Sequence, residues 1–157
     1  MTVTNATFVI DRQVSASPQR VFAAFKTLEA KSAWFKTPTE CEVLVRKLDF
    51  RVGGEERFRA RWPSGLITDF HATYHDIVEN ERIVLVYDLF HGDEKLSVSL
   101  QTIEIKPEGD KTRLLHTEQG SYFSGGLEAV QGREHGTGWH VDNLVANLEG
   151  REGRPFS

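Results

Sequence analysis

His116 and Glu118 are the residues whose types and spacing come nearest to chemistry. Two apart on a strand, they project from the same face. On an inner face, burial would raise the pKa of the Glu and lower that of the His. The two would then form an acid–base pair near neutrality, fit for a cyclase, isomerase or hydrolase that needs no cofactor. The plainer reading is a pair facing solvent, and that is the expectation taken here. His71 and His75 lie four apart on a predicted strand, about 13 Å along it, so they cannot share a metal ion. No metal is expected. Arg57, Arg59 and Arg61 form a basic row, which reads either as an anion-binding strip or as a solvated outer face with acidic cross-strand partners. The second reading is preferred. The chain has no nucleophile elbow, phosphate-binding loop or dinucleotide glycine fingerprint, so no cofactor is expected and no catalytic residue is assigned.

Aromatic side chains offer a second kind of chemistry, the binding of an apolar molecule. The chain has ten Phe, three Trp and three Tyr. Trp34, Phe35, Phe58, Trp62, Phe70, Phe90, Tyr122 and Phe123 fall on strand faces or at loop ends. They are the candidate liners of a pocket, with His116 and Glu118 as its polar members. Each aromatic is equally at home in a plain core.

The elements that would position these residues read clearly. The spacing predicts a long C-terminal helix over 133–149, because Val141, Leu144, Val145 and Leu148 make one apolar stripe. Gly150 stands where a left-handed cap is needed. Gly136 and Gly138 are poor helix formers, so the helix starts near Thr137 or has a first turn held by packing. Trp139 points away from the stripe and is expected to pack on a neighbouring loop or helix. A pocket mouth or a contact with a second copy of the chain are its alternatives.

Upstream, a strand over 7–14 leads to Ser17-Pro18, a helix cap followed by a proline at the first helical position. Val21, Phe22, Phe25 and Leu28 continue at helical spacing, and a second short helix is predicted over 29–35. Strands follow over 40–50, 55–62, 66–78 and 82–90, separated by the Gly53-Gly54, Pro63-Ser64-Gly65 and Glu79-Asn80-Glu81 turns. Leu96, Val98 and Leu100 alternate, but Ile103 and Ile105 carry the opposite phase. A β-bulge near Thr102 is the expected cause. The last strand covers 112–120, and 121–132 is a loop. The stripe of one long helix must be buried against the sheet. The fold class is therefore α+β: a curved antiparallel sheet of six or seven strands gripping a long C-terminal helix, with two short helices after the first strand.

Composition narrows the function classes. A chain of 157 residues is read as one domain with room for a core. The net charge of −4 argues against a nucleic-acid partner. Cys41 is the only cysteine, so no internal disulfide can form. No apolar run approaches the roughly 20 residues of a membrane span, and the first residues do not read as a signal peptide. A cytoplasmic location is the expectation.

Four stretches carry a resemblance. They are Ser17-Pro18-Gln19-Arg20-Val21-Phe22 with Phe25, Trp34-Phe35, Asp49-Phe50-Arg51-Val52-Gly53-Gly54, and Gly138-Trp139 with Leu144 and Leu148. In order and spacing the chain resembles the START-like, or SRPBCC, superfamily, and within it the short bacterial proteins related to the heat-shock-protein-90 ATPase activator homologue. The resemblance implies a helix-grip fold with a cavity between sheet and helix, and a small hydrophobic ligand there. It transfers no catalytic residues. It does not extend to the separate N-terminal domain of the eukaryotic activator, so chaperone activation is not the expected role. Binding of a small hydrophobic or aromatic molecule is the leading expectation. An enzyme using the same cavity and a protein-interaction role, as a homodimer or co-chaperone, are the alternatives.

Overall fold

The computed structural model describes residues 2–156. Ser17 opens the helical region as a cap: its Oγ accepts the Arg20 N–H at 3.2 Å, with Pro18 at the first helical position. This gives α1 (Pro18–Lys26) after β1 (Thr4–Val14). Thr27 repeats the device for α2 (Leu28–Ser32), accepting the Ala30 N–H at 3.1 Å. The second helix is shorter than its spacing predicts. Trp34 and Phe35 therefore stand in the turn that follows it, free to lean onto the sheet.

The remaining strands are β2 (Glu42–Leu48), β3 (Glu55–Arg61), β4 (Ile67–Val78), β5 (Arg82–His91), β6 (Glu94–Glu108) and β7 (Lys111–Tyr122), and the chain ends in α3 (Gly126–Leu148). The seven strands form one antiparallel, curved sheet in the order β1-β7-β6-β5-β4-β3-β2. The architecture is the one the sequence predicts. Gly53, at φ +83°, makes the β2–β3 turn and donates its N–H to the Tyr74 carbonyl, tying the turn to β4. Arg57, Arg59 and Arg61 take the outer face, where Asp69 and Glu42 face them.

Two local expectations change. The first concerns β6. No slip occurs at Thr102, which pairs in register with Val84 and with Thr117. Ser97, Ser99, Ile103 and Ile105 are all buried on one continuous inner face. The phase change arose because that face is polar at one end and apolar at the other. The irregularities fall instead at Val43/Val45, Tyr74/Asp76 and Leu89/Phe90.

The second concerns α3, which begins at Gly126 and runs straight through Gly132, Gly136 and Gly138. Each internal glycine costs about 1 kcal/mol against alanine. Burial of Val141, Leu144 and Val145 in the core beside Val14, Val21, Phe25 and Leu114 offsets this, at roughly 1.5–3 kcal/mol per large apolar side chain. Trp139 fills two of its expected places, packing on a neighbouring segment and bordering a gap under the helix. Its Nε1–H donates to the Arg154 carbonyl at 2.8 Å, and its ring meets Phe156 at 5.1 Å. The C-terminal half of α3 rests on β1, β7 and α1. Its N-terminal half stands across a gap from the middle of the sheet.

Candidate functional site

That gap is a cavity of about 550 Å³. Phe58 of β3, Phe70 of β4 and Tyr87 of β5 line one wall, because inward residues of neighbouring strands stand side by side. Phe35 closes the wall, with its ring 5.5 Å from Phe58 and 5.0 Å from Phe70. Trp34 lies behind it, stacked on Phe25 at 5.0 Å and donating its Nε1–H to the Ala24 carbonyl. The Arg46 guanidinium lies 3.9 Å above the Phe58 ring and donates to the Phe35 carbonyl. A cation over an aromatic face braces the wall.

The roof is α3. Ala129, Gly132, Gly136 and His140 border the cavity and recur at three- and four-residue spacing, so they occupy one helix face. A Cβ built at Gly132 or at Gly136 would meet nothing within 4 Å. Two of the three glycines that weaken the helix, Gly132 and Gly136, thus border the cavity, while Gly138 packs on Ile10.

Two buried polar clusters sit at the cavity. In one, Lys31 donates to Glu56 at 2.6 Å and to the Tyr74 hydroxyl at 3.3 Å, and Tyr74 donates to the same Glu56 oxygen at 2.6 Å. In the other, Arg133 of α3 donates to the Tyr87 hydroxyl at 2.9 Å and to the Ser97 hydroxyl at 2.8 Å. Tyr87 in turn donates to Glu118 at 2.7 Å, and Gln101 donates to the other Glu118 oxygen at 2.9 Å. The guanidinium is flanked by the Tyr87 and Tyr122 rings, at 5.6 and 5.2 Å.

The expectation of a solvent-facing His116–Glu118 pair is overturned, since both are buried and Glu118 is 1% exposed. The expected rise in the Glu pKa is overturned too. Burial pushes the Glu118 carboxyl up, but His116, the Gln101 amide and Arg133 together outweigh it and hold it below its ordinary value. A carboxylate that accepts several donors stays ionised. His116 Nε2 lies 3.8 Å from Glu118 and has no hydrogen-bond partner in the protein. His140 is driven to a pKa of about 4, first by burial and then by the nearby Lys31, Arg46 and His116 charges. It is neutral at pH 7, with its Nε2–H donating to the Lys36 carbonyl at 2.9 Å.

Of the residues singled out from sequence, Trp34, Phe35, Phe58, Trp62, Phe70, His116 and Tyr122 border the cavity. Three do not. Glu118 is withdrawn behind Tyr87 and Gln101. Phe90 lies on the outer face, 6.2 Å from the His71 ring and 5.5 Å under Lys95 Nζ. Strand alternation gives the inward places to Tyr87, Leu89 and His91, with Phe90 between two of them. Phe123 follows the inward Tyr122 and so points the other way, its N–H bonded to the Leu96 carbonyl. Tyr87, Arg133, Lys31, His140, Gly132 and Gly136 were not singled out. Only the glycines left a signal, as two breakers four residues apart inside a helix. Among the described residues, no group of three His, Cys, Asp or Glu side chains is arranged to hold a metal.

Residues 15–149 match the family described as activator of Hsp90 ATPase homologue 1-like protein. The chain belongs to this family. The helix-grip superfamily around it is known for ligand binding. A crystal structure of a protein from Rhizobium loti is 38% identical, with a TM-score of 0.87, covering 94% of this chain and 100% of that one. An uncharacterised protein from Rhizobium leguminosarum is 35% identical, with a TM-score of 0.88, covering 96% and 98%. A third, from Chromobacterium violaceum, is 28% identical, with a TM-score of 0.73, covering 91% and 96%. No curated protein gives a match. Among the described residues of this homologue 1-like chain, no helix is long and apolar enough to cross a membrane.

Proposed function

We propose that the protein binds a small aromatic or hydrophobic molecule in the cavity between the sheet and α3. The observation that carries this is the glycine-faced roof over an aromatic wall, enclosing about 550 Å³. That volume is typical of small-molecule sites, which run from about 300 to 1,000 Å³. The rings around it favour an apolar occupant.

An acid–base enzyme built on His116 and Glu118 gains no support from the geometry. Glu118 is spent on Tyr87 and Gln101 and does not border the cavity. A docking role for Trp139 is weakened likewise, since its ring is buried under the C-terminal segment.

The test is native mass spectrometry on gently purified protein, wild type and Gly136→Leu. The wild type should carry a mass that denaturation releases. Gly136→Leu should lose it while keeping or gaining thermal stability, because leucine both fills the gap and favours the helix. Equal retention of the mass by both proteins would place the ligand elsewhere and overturn the reading.

A further inference from the structure

We infer that the occupant is an aromatic monocarboxylic acid, seated with its carboxylate on Arg133. This rests on the cavity being a ligand site, and adds the charge and class of the ligand. Lys31, Lys36, Arg133 and three histidines border the cavity, and no Asp or Glu does. This is in a chain with 23 acidic and 19 basic residues. The carboxylates that balance the buried cations, Glu56 and Glu118, stand behind the wall at 4% and 1% exposure. Among the described residues, the surface an occupant meets is thus rich in donors and carries no Asp or Glu.

The three cations are not equivalent. Lys31 is closed, held by Glu56 at 2.6 Å. Lys36 is exposed at the rim and stays hydrated. Arg133 is open. Its hydrogen bonds end on two neutral hydroxyls, and its nearest carboxylate oxygen, on Glu118, is 3.8 Å away and outside hydrogen-bond reach. A guanidinium has five N–H donors in a planar fork, a geometry that suits a carboxylate. Tyr87 and Tyr122 flank the plane and shield it from water, which strengthens any ion pair formed there.

Glu118 limits the charge that fits. Arg133 and Glu118 together are neutral, so one carboxylate on the open guanidinium leaves this end of the cavity a single negative charge in excess, and a second is resisted. His116 Nε2, 3.8 Å from the opposite Glu118 oxygen, is a second ring nitrogen at this end of the cavity. The body of the ligand is set by the rings. Phe35, Phe58, Phe70 and Tyr87 offer tilted and edge-on faces at 4.7–5.5 Å from one another, an arrangement into which a further flat ring inserts readily.

Three probes with one naphthyl body separate the charge from the cavity. They are 1-naphthaleneacetate, its neutral amide and 1-naphthylmethylamine, titrated calorimetrically into the full chain. The acid should bind about tenfold tighter than the amide or better, as expected for a charge-assisted bidentate pair, and the amine weakest of the three. Arg133→Gln/Glu118→Gln, which removes both charges together, should erase the gap between acid and amide. Arg133→Lys keeps the charge but loses the fork, and should narrow that gap several-fold. An acid no tighter than the amide overturns the inference and leaves the cavity reading standing. An acid preference that survives the double variant overturns the assignment to Arg133. Binding by none of the three overturns the cavity reading for aromatic ligands, and the inference with it.

Discussion

The two buried clusters use the same three kinds of group, a cation, a carboxylate and a phenol, to opposite ends. Lys31, Glu56 and Tyr74 form one; Arg133, Glu118 and Tyr87 form the other. In the first, cation and carboxylate touch at 2.6 Å and the phenol adds a second bond to the same oxygen. In the second, the phenol stands between them, accepting from Arg133 at 2.9 Å and donating to Glu118 at 2.7 Å, while the charges stay 3.8 Å apart. Burial pushes both phenols far above their ordinary pKa, and each neighbouring carboxylate adds to the shift. Both hydroxyls therefore remain protonated donors. A closed pair staples α2 to β3 and β4. An open pair holds a cation at a cavity wall without exhausting it. The difference is one of arrangement, since a direct ion pair satisfies its members and a relayed one leaves donors over.

The strongest way to break the comparison is to remove one member of the closed pair. Lys31→Met leaves Glu56 buried without its cation, and should destabilise by about 3–5 kcal/mol in urea unfolding. Lys31→Met/Glu56→Gln should recover most of that loss, because the charge to be buried is gone and Tyr74 can still donate to the Gln amide oxygen. A single variant within about 1 kcal/mol of wild type, the scale of an exposed pair, would show that Lys31 is no staple.

How much of this was legible follows from what alternation can and cannot say. Ser17-Pro18, the Gly53-Gly54 turn and the Arg57/Arg59/Arg61 row are local signals, and each marks its element. On β7, Leu114, His116 and Glu118 alternate against Leu115, Thr117 and Gln119. Two faces of equal polarity cannot tell a strand which side is inner. Long-range register decides it, by setting Glu118 opposite Phe8 and Gln101. The serines of β6 and the glycines of α3 failed for a shared reason. In an apolar pattern the phase change of β6 signals a bulge and Gly136 with Gly138 a late helix start. They are instead the polar wall and the open roof of a cavity. Phe90 was indistinguishable because β5 is apolar on both faces, and plain alternation gives the inward places to Tyr87, Leu89 and His91. Arg133 left no trace, because a basic residue on a helix reads as a solvated one.

His140 stands between the two clusters and sharpens the comparison by pH. Its pKa lies at about 4 in the fold against roughly 6.5 in the unfolded chain. Between those values the unfolded state binds the extra proton. Stability from this residue is thus fully present above about pH 6.5 and falls as the pH drops toward 4. The full loss is up to about 3 kcal/mol, taken at 1.36 kcal/mol per unit. Urea midpoints across this window should show the fall, and His140→Gln should flatten it. Glu118, held below its ordinary value, adds its own loss only at lower pH. A midpoint constant from pH 7 to 4.5 would mean that His140 reaches water in the folded protein.

The smallest effect discriminates best. Tyr74→Phe and Tyr87→Phe remove the same atom from the same kind of buried cluster. At Tyr74 the Lys31–Glu56 contact persists at 2.6 Å without the hydroxyl, so the charges stay paired and the cost should fall at the low end, about 1–1.5 kcal/mol. At Tyr87 the hydroxyl is the link between Arg133 and Glu118. Its removal leaves one donor and one acceptor facing each other across 3.8 Å, and the cost should be about 1–3 kcal/mol because both are charged and buried. The ordering matters more than either value, since ring size, burial and the unfolded chain are matched between the two variants. Equal losses would mean that Arg133 and Glu118 close up once the phenol is gone, and that the 3.8 Å gap is packing slack. A larger loss at Tyr87 would mean that the open arrangement is held against collapse. A cation kept waiting for a ligand requires the same.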